Sequence, residues 1–426
     1  MTSLPTHSRR LPVANWALVL GWCCLAGTSQ ARNLQADFLA ASQHEPIFSA
    51  AQTQSRNMRI EASIAGTAYF PRAGISFSQD AIDSSTRRTA RIVQPVVSAE
   101  RWLTTREASP RETIATQLEA QARIDLASRL FNAVHELTLS REKLALHQAN
   151  LQSLEAQSES AKLANQVGQG TITDVLDTQV RLAQARSHIL RLQADHETAQ
   201  RSYASITGYL PAPGAYPLSP RSLSKLSAPP LQDTIDQTLQ SNPRLQAERQ
   251  ITALSGIQAR RARAQFLPAL NATWQRSVTT SATTHQNGLV LSLDMPLQYS
   301  TAYAFEAADN ALVGQQQKER ATQEALLLDV QRLHAQALAA QQEVDISREA
   351  IDAAALSVSA NEQSFAGGVR SKIDVLNALQ AQLAAREAHL IAQLGLARTL
   401  LSLRLLARHD IEAIFNQVQR ELFDPL

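Results

Sequence analysis

Two periodicities alternate along the chain. In the first, apolar positions recur every seven residues: Val175, Leu182 and Ile189 in one stretch, and Leu376, Leu383, Leu390 and Ala397 in another. A sustained period of seven predicts helices wound about one another. In the second, the alternation is every other residue. Ile75 and Phe77 are interleaved with Ser76 and Ser78, and Ala272, Trp274, Arg276 and Val278 with polar neighbours. Leu289, Leu291, Leu293 and Met295 likewise alternate with Val290, Ser292 and Asp294. That pattern predicts strands with one apolar face, over about 71–79, 88–97, 268–279 and 287–297.

Helix breakers set the lengths. From Ser98 to Gln166 there is no Gly, and Pro110 is the one proline; from Ala302 to Ala366 the only breaker is Gly314. At 1.5 Å per residue each run predicts a helix of roughly 100 Å. Each ends in a glycine turn followed by a shorter apolar-periodic run, about 171–208 in the first case. The two turns echo each other: VGQGTITDVLDTQ (Val167–Gln179) and GGVRSKIDVLNAL (Gly367–Leu379) both place Asp-Val-Leu six residues after a glycine. Prolines repeat in the same order. Pro46 and Pro71 are spaced as Pro243 and Pro268 are, and QPV around Pro95 is matched by MPL around Pro296. The chain therefore divides into residues 1–31, a first repeat over 32–209, a Pro-rich linker over 210–230, a second repeat over 231–412, and a tail over 413–426. Each repeat reads as helix, two strands, long helix, helix. Stacked end to end, the two shorter helices nearly match the long one.

Residues 1–31 read as a secretory signal: Arg9 and Arg10, an apolar run from Val13 to Gly27, and Ser29-Gln-Ala31 as a cleavage site. Cleavage after Ala31 removes the whole formal charge of +2 and both cysteines, Cys23 and Cys24. The mature chain then has no disulfide, no thiol ligand for a metal, and no basic footprint for nucleic acid. Trp22 before Cys23 is unlike a lipoprotein signal, so no acyl anchor is expected. Half of the aromatics beyond the signal fall between Tyr69 and Trp102 or between Phe266 and Phe305, which suits interfacial belts at a membrane. Each predicted strand is about the length that crosses a bilayer when tilted. Four strands cannot close a barrel, and an open edge in lipid leaves backbone groups unsatisfied. If the strands span a membrane, several chains must pool them, and the count alone does not fix how many; the alternative is a soluble β-hairpin layer packed on helices.

Catalysis finds little in this sequence. His135-Glu136 lacks a second His at metalloprotease spacing, and neither a Gly-x-Ser-x-Gly nor a P-loop appears. The ten histidines are expected on solvated polar helix faces, and neither cofactor nor metal is implied. The alternatives to a channel are a periplasmic coiled-coil adaptor or a structural protein of an envelope export complex. An adaptor carries one helical hairpin followed by β-rich domains, and a purely structural coiled coil lacks paired strands with clustered aromatics.

Taken together, the duplicated repeat, the proline landmarks and the VGQGTITDVLDTQ turn with its partner resemble the TolC-type outer-membrane factors of Gram-negative export systems. The resemblance covers essentially the whole chain after residue 31 and implies a mainly α fold with a small β part. In it, internally duplicated helical hairpins form a coiled-coil tunnel, and four strands per chain enter a shared trimeric transmembrane β-barrel. It further implies a homotrimer in the outer membrane, in contact with its lipid, with most of the chain in the periplasm. Such a trimer meets a periplasmic adaptor and an inner-membrane pump and serves as the exit duct for small molecules, secreted polypeptides or both. The glycine turns then become the closed periplasmic tip, with Gly168, Gly170 and Gly368 in the turns. Thr171 with Asp174, and Ser371 with Asp374, have the spacing of capping boxes. By resemblance Asp374 matches a ring acid at the tunnel axis, and Arg370 matches an arginine tying neighbouring hairpins together through Thr173 and Asp174. Two departures stand out: Phe365 where the family often has a tyrosine, and Asn377 in place of a second ring acid, with Asp177 offering a carboxylate on the other hairpin.

Overall fold

The computed structural model describes residues 33–79, 86–218, 227–279, 284–295, 300–407 and 410–423. The expected signal segment lies outside them, as do part of the linker and Pro296. The first repeat runs α1 (Leu34–His44), α2 (Pro46–Gly66), β1 (Arg72–Gln79), β2 (Thr86–Val97), α3 (Ala99–Arg106), α4 (Ala108–Gln166) and α5 (Ile172–Thr207). The second runs α6 (Leu231–Ser241), α7 (Pro243–Ala264), β3 (Ala269–Thr279), β4 (Thr284–Asp294), α8 (Ser300–Ala366) and α9 (Lys372–Ala407), and α10 (Ile411–Leu422) follows.

Prolines open helices where expected. Pro46 and Pro243 occupy the first turns of α2 and α7, where a missing N–H costs nothing. Pro110 has the opposite effect. With no N–H to offer the carbonyl four residues back, it breaks the run expected from Ser98, and α3 ends at Arg106. At the break Glu107 is buried, and its carboxylate meets Arg111 at 3.0 Å and Arg261 of α7 at 2.7 Å.

The 59-residue α4 and 67-residue α8 are rods of roughly 90 and 100 Å. Each is flanked by two shorter helices: α4 packs against α2 and α5, and α8 against α7 and α9. The end-to-end stacking of short helices against one long one is therefore present in both repeats. Contacts of α4 with α7 and α9 join the repeats. By length and composition α9 is apolar enough to cross a membrane, but half of its most apolar window is buried in this packing.

The strands form one antiparallel sheet in the order β1-β2-β3-β4. Paired residues share a face, so the register separates two sides. Ala73, Ile92, Trp274 and Leu289 form one row of the apolar side, and Gly74, Arg91, Gln275 and Gly288 one row of the polar side. Ile75 and Phe77 on the apolar side are 73% and 71% exposed, whereas Thr273 and Ser277 on the polar side are buried. Within the described residues β1 and β4 each pair on one edge only.

The core lies midway along the molecule, where α1, α4, α5, α9 and α10 converge around Leu34, Phe38, Phe131, Tyr203, Leu401 and Phe415. Residues 413–426, expected as a tail, are mostly helix. In α10, Ile414, Phe415, Val418 and Leu422 are buried, and Phe415 meets Phe38 edge-on at 5.5 Å. At the same level the buried Asp37 carboxylate accepts hydrogen bonds from three phenols, Tyr203, Tyr209 and Tyr216.

Candidate functional site

The two glycine turns close the α4–α5 and α8–α9 hairpins with nearly the same backbone. Gly168 and Gly368 have φ of 73° and 74°, the left-handed region that L side chains avoid. The Gln169 N–H donates to the Ala164 carbonyl at 2.8 Å, and that of Val369 to the Ser364 carbonyl at 2.9 Å, so each rod ends on satisfied carbonyls. Gly170 sits close to the rod: a Cβ there would lie 3.1 Å from Ala164 Cβ, a tight contact that a small shift of the neighbour would relieve.

The return helices start differently. In α5 the box is complete: Thr171 Oγ1 accepts from the Asp174 N–H, and Asp174 accepts from the Thr171 N–H. Thr173 contacts the Thr171 hydroxyl at 2.7 Å. In α9 only one half forms. Asp174's counterpart, Asp374, accepts from the Ser371 N–H at 3.0 Å and hydroxyl at 2.8 Å, while its own N–H donates to the Ser371 carbonyl. These Ser371 bonds, with Arg370 nearby, hold the Asp374 carboxyl below its ordinary range. Arg370 lies 3.9 Å from Asp374 of its own chain and is otherwise exposed. The structure thus brings Arg370 and Asp374 together, but within one chain neither reaches Thr173 or Asp174.

Asn377 has a partner that sequence reasoning missed. Its Oδ1 accepts from Arg181 of α5 at 2.8 Å, linking the two hairpins near the tip. Asp177 is exposed. Phe365 lies under the Lys372 ammonium at 5.4 Å, so the ring faces a cation where a tyrosine would offer a hydroxyl. Val167 and Val369 beside the turns are 69% and 81% exposed, leaving an apolar rim on the tip.

Several histidines depart from the solvated faces expected of them. Ser140 faces His196 at 3.0 Å and Ser347 faces His389 at 2.8 Å, each across one hairpin. Each serine gives its single hydroxyl proton to a backbone carbonyl, Leu137 or Val344, and so accepts from the imidazole Nδ1–H. The other ring nitrogen accepts from Gln200 or Gln393, one turn on. Both rings are thereby held neutral. Burial, then Arg141 beside His196 and Arg348 beside His389, pushes their pKa values down. A second cluster joins the repeats. Glu387 of α9 meets Lys143 at 2.9 Å and His147 at 3.3 Å, both on α4. Burial raises the Glu387 pKa, but the Lys143 and His147 contacts outweigh it and the net shift is downward. The signal for these pairs was the recurrence of Ser-Arg-Glu in the long helices and His-x-x-x-Gln in the return helices.

No group of three or more His, Cys, Asp or Glu among the described residues is arranged to hold a metal ion.

The family model of outer membrane efflux proteins matches residues 234–407. The alkaline protease secretion protein AprF of Pseudomonas aeruginosa is 23% identical over 374 residues, 80% of this chain and 77% of that protein. The outer membrane efflux protein BepC of Brucella suis is 24% identical over 335 residues, 74% of this chain and 72% of that protein. The crystal structure of the outer membrane protein VceC of Vibrio cholerae superposes with a TM-score of 0.73 at 16% identity, over 89% of this chain and 95% of that one. With the duplicated hairpins and the four-stranded sheet, the chain is similar to outer membrane efflux proteins over residues 234–407 and shares the fold of VceC over most of its length.

Proposed function

We propose that the chain forms the outer-membrane exit duct of a tripartite export system, as a homotrimer that meets a periplasmic adaptor and an inner-membrane pump. One observation carries this reading: a four-stranded sheet with an exposed apolar face, whose two edges are unpaired among the described residues, stands on paired rods of roughly 90–100 Å. Such a sheet is stable in lipid only when other chains close it. Three copies close a twelve-stranded barrel and bring six hairpins into a tube. The N-terminal 31 residues serve as the export signal. Cargo includes secreted polypeptide, a use supported by the relatedness to AprF, whose name states protease secretion.

The gate lies at the hairpin tips. Three copies of Asp374 near one axis attract multivalent cations. Arg370, exposed apart from its own Asp374, reaches Thr173 and Asp174 of the neighbouring hairpin and holds the entrance shut. Asp177, Gly168, Gly170, Gly368, Phe365 and Asn377 shape the same ring. Planar-bilayer recordings test both parts, with a trivalent cation added on the tip side. Wild type conducts and is blocked, Asp374→Ala conducts with the block relieved, and Arg370→Ser conducts more at rest while keeping the block. Absence of any conductance sinks the duct, whereas an unchanged block in Asp374→Ala reduces that residue to a helix cap.

A further inference from the structure

Beyond its helical end, where Asp294 stands with Asn271 and Ser292, the polar face of the sheet carries charge of one sign. From the level of Arg72 outward its rows read Arg72, Val93, Thr273, Val290; then Gly74, Arg91, Gln275, Gly288; then Ser76, Thr89, Ser277, Gln286; then Ser78, Arg87, Thr279. Three arginines and no carboxylate stand in those rows, and among the described residues none of the three is in an ion pair. The row of Arg91 is the most telling. Glycines stand on β1 and β4 at its level, and a Cβ on either would meet nothing within 4 Å. Arg91 therefore has Gln275 on one side and open space over Gly74 on the other.

Sidedness follows from the apolar rows. Ile75, Phe77, Trp274 and Leu289 face lipid, so the arginine rows face the interior of the barrel. We infer that the barrel interior is an anion-preferring exit, with Arg72, Arg91 and Arg87 forming three stacked arginine rings in the assembled duct. The inference rests on the duct reading above and adds the charge class that the exit favours. Three guanidinium groups roughly 8 Å from the axis, screened over a Debye length of about the same size, enrich a monovalent anion by about twofold per ring. A polyanion gains correspondingly more. The sign is opposite to that of the tip, where carboxylates gather. Cations are held at the entrance and anions are favoured at the exit.

The test uses the full-length protein in planar bilayers with inositol hexakisphosphate added on the loop side of the barrel. Wild type is blocked, and Arg91→Gln and Arg87→Gln each weaken the block by about tenfold. Arg91→Lys retains it. Arg88→Gln is the internal control, because Arg88 pairs with Phe77 and Val278 on the lipid-facing side, and its block equals that of wild type. Asp80 and Asp83, between β1 and β2, lie outside the described residues, and substituting the arginines alone isolates the share of the rings. A conducting wild type without block overturns the inference and leaves the duct standing. So does an Arg88→Gln effect as large as that of Arg91→Gln, because it reverses the faces. A protein that never conducts overturns the duct itself.

Discussion

Asp37 is completely buried, and three phenols from chain positions 166 to 179 residues away converge on its carboxylate. Tyr203 and Tyr216 donate to Oδ2 and Tyr209 to Oδ1. Burial, reinforced by the Asp37 charge, pushes the Tyr203 and Tyr216 hydroxyls well above their ordinary pKa, so both remain donors. The cluster fastens the end of α5 and the start of the linker to α1, and Tyr216 packs on Phe423 at 5.1 Å beyond α10. In Asp37→Asn the side chain keeps its volume, but one oxygen becomes a donor and the charge is lost. One hydroxyl then faces an amide N–H₂, and the other two exchange a charged acceptor for a neutral one. A bond to a charged group contributes about 1.5–3 kcal/mol and a neutral one about 1, so the loss is about 2.5–7 kcal/mol. Asp37→Ala removes all three acceptor contacts and costs more. Tyr216→Phe removes one donor, leaves the carboxylate two, and costs about 1.5–3 kcal/mol. Thermal melts of the detergent-solubilised protein should rank the variants in that order. Limited proteolysis should cut near residues 209–218 first in Asp37→Ala. An Asp37→Asn variant that melts with wild type and resists protease equally would refute the reasoning.

Further outcomes are expected elsewhere. The neutral His196 and His389 rings have pKa values lowered in the fold, so below an ordinary value of 6.5 the unfolded chain takes protons first. Stability therefore falls as pH drops from about 7 until the folded-state values are passed, then levels off. Melts between pH 8 and 5 should show that slope, and the His196→Gln, His389→Gln double variant should flatten it. Asn377→Asp converts the Arg181 contact into a partly exposed ion pair, adding about 0.2–1 kcal/mol between the hairpins and lowering resting conductance; higher conductance would oppose this. Gly168→Ala forces an L side chain to φ of 73° and should cost about 1 kcal/mol or more, read as faster proteolysis at the α4–α5 turn.

Much of the fold was legible because its signals are local. Pro46, Pro243 and the glycines after each long rod punctuate the chain whatever it packs against, and period two marked all four strands to within about three residues. Pro110 was visible too, yet the run around it was read as one helix, although a proline in its first turns withdraws a backbone donor. The helix α10 was missed because its apolar positions only acquire meaning against α1 and α9, in a core assembled from both repeats. At the tip, the Thr171–Asp174 box was legible since its partners are three residues apart. The Arg181–Asn377 contact was not, since its partners are 196 residues apart. The histidines were misplaced for the same reason: what buries them is the opposite helix of the hairpin.

The central claim is that the sheet of one chain is an incomplete barrel. Its most direct test is the mass of the protein in detergent, by native mass spectrometry after export and signal removal. The expected mass is that of three copies of a chain beginning at Arg32, stable only with detergent. A monomer that remains soluble in detergent-free buffer, with β1 and β4 still unpaired on their outer edges, would contradict it.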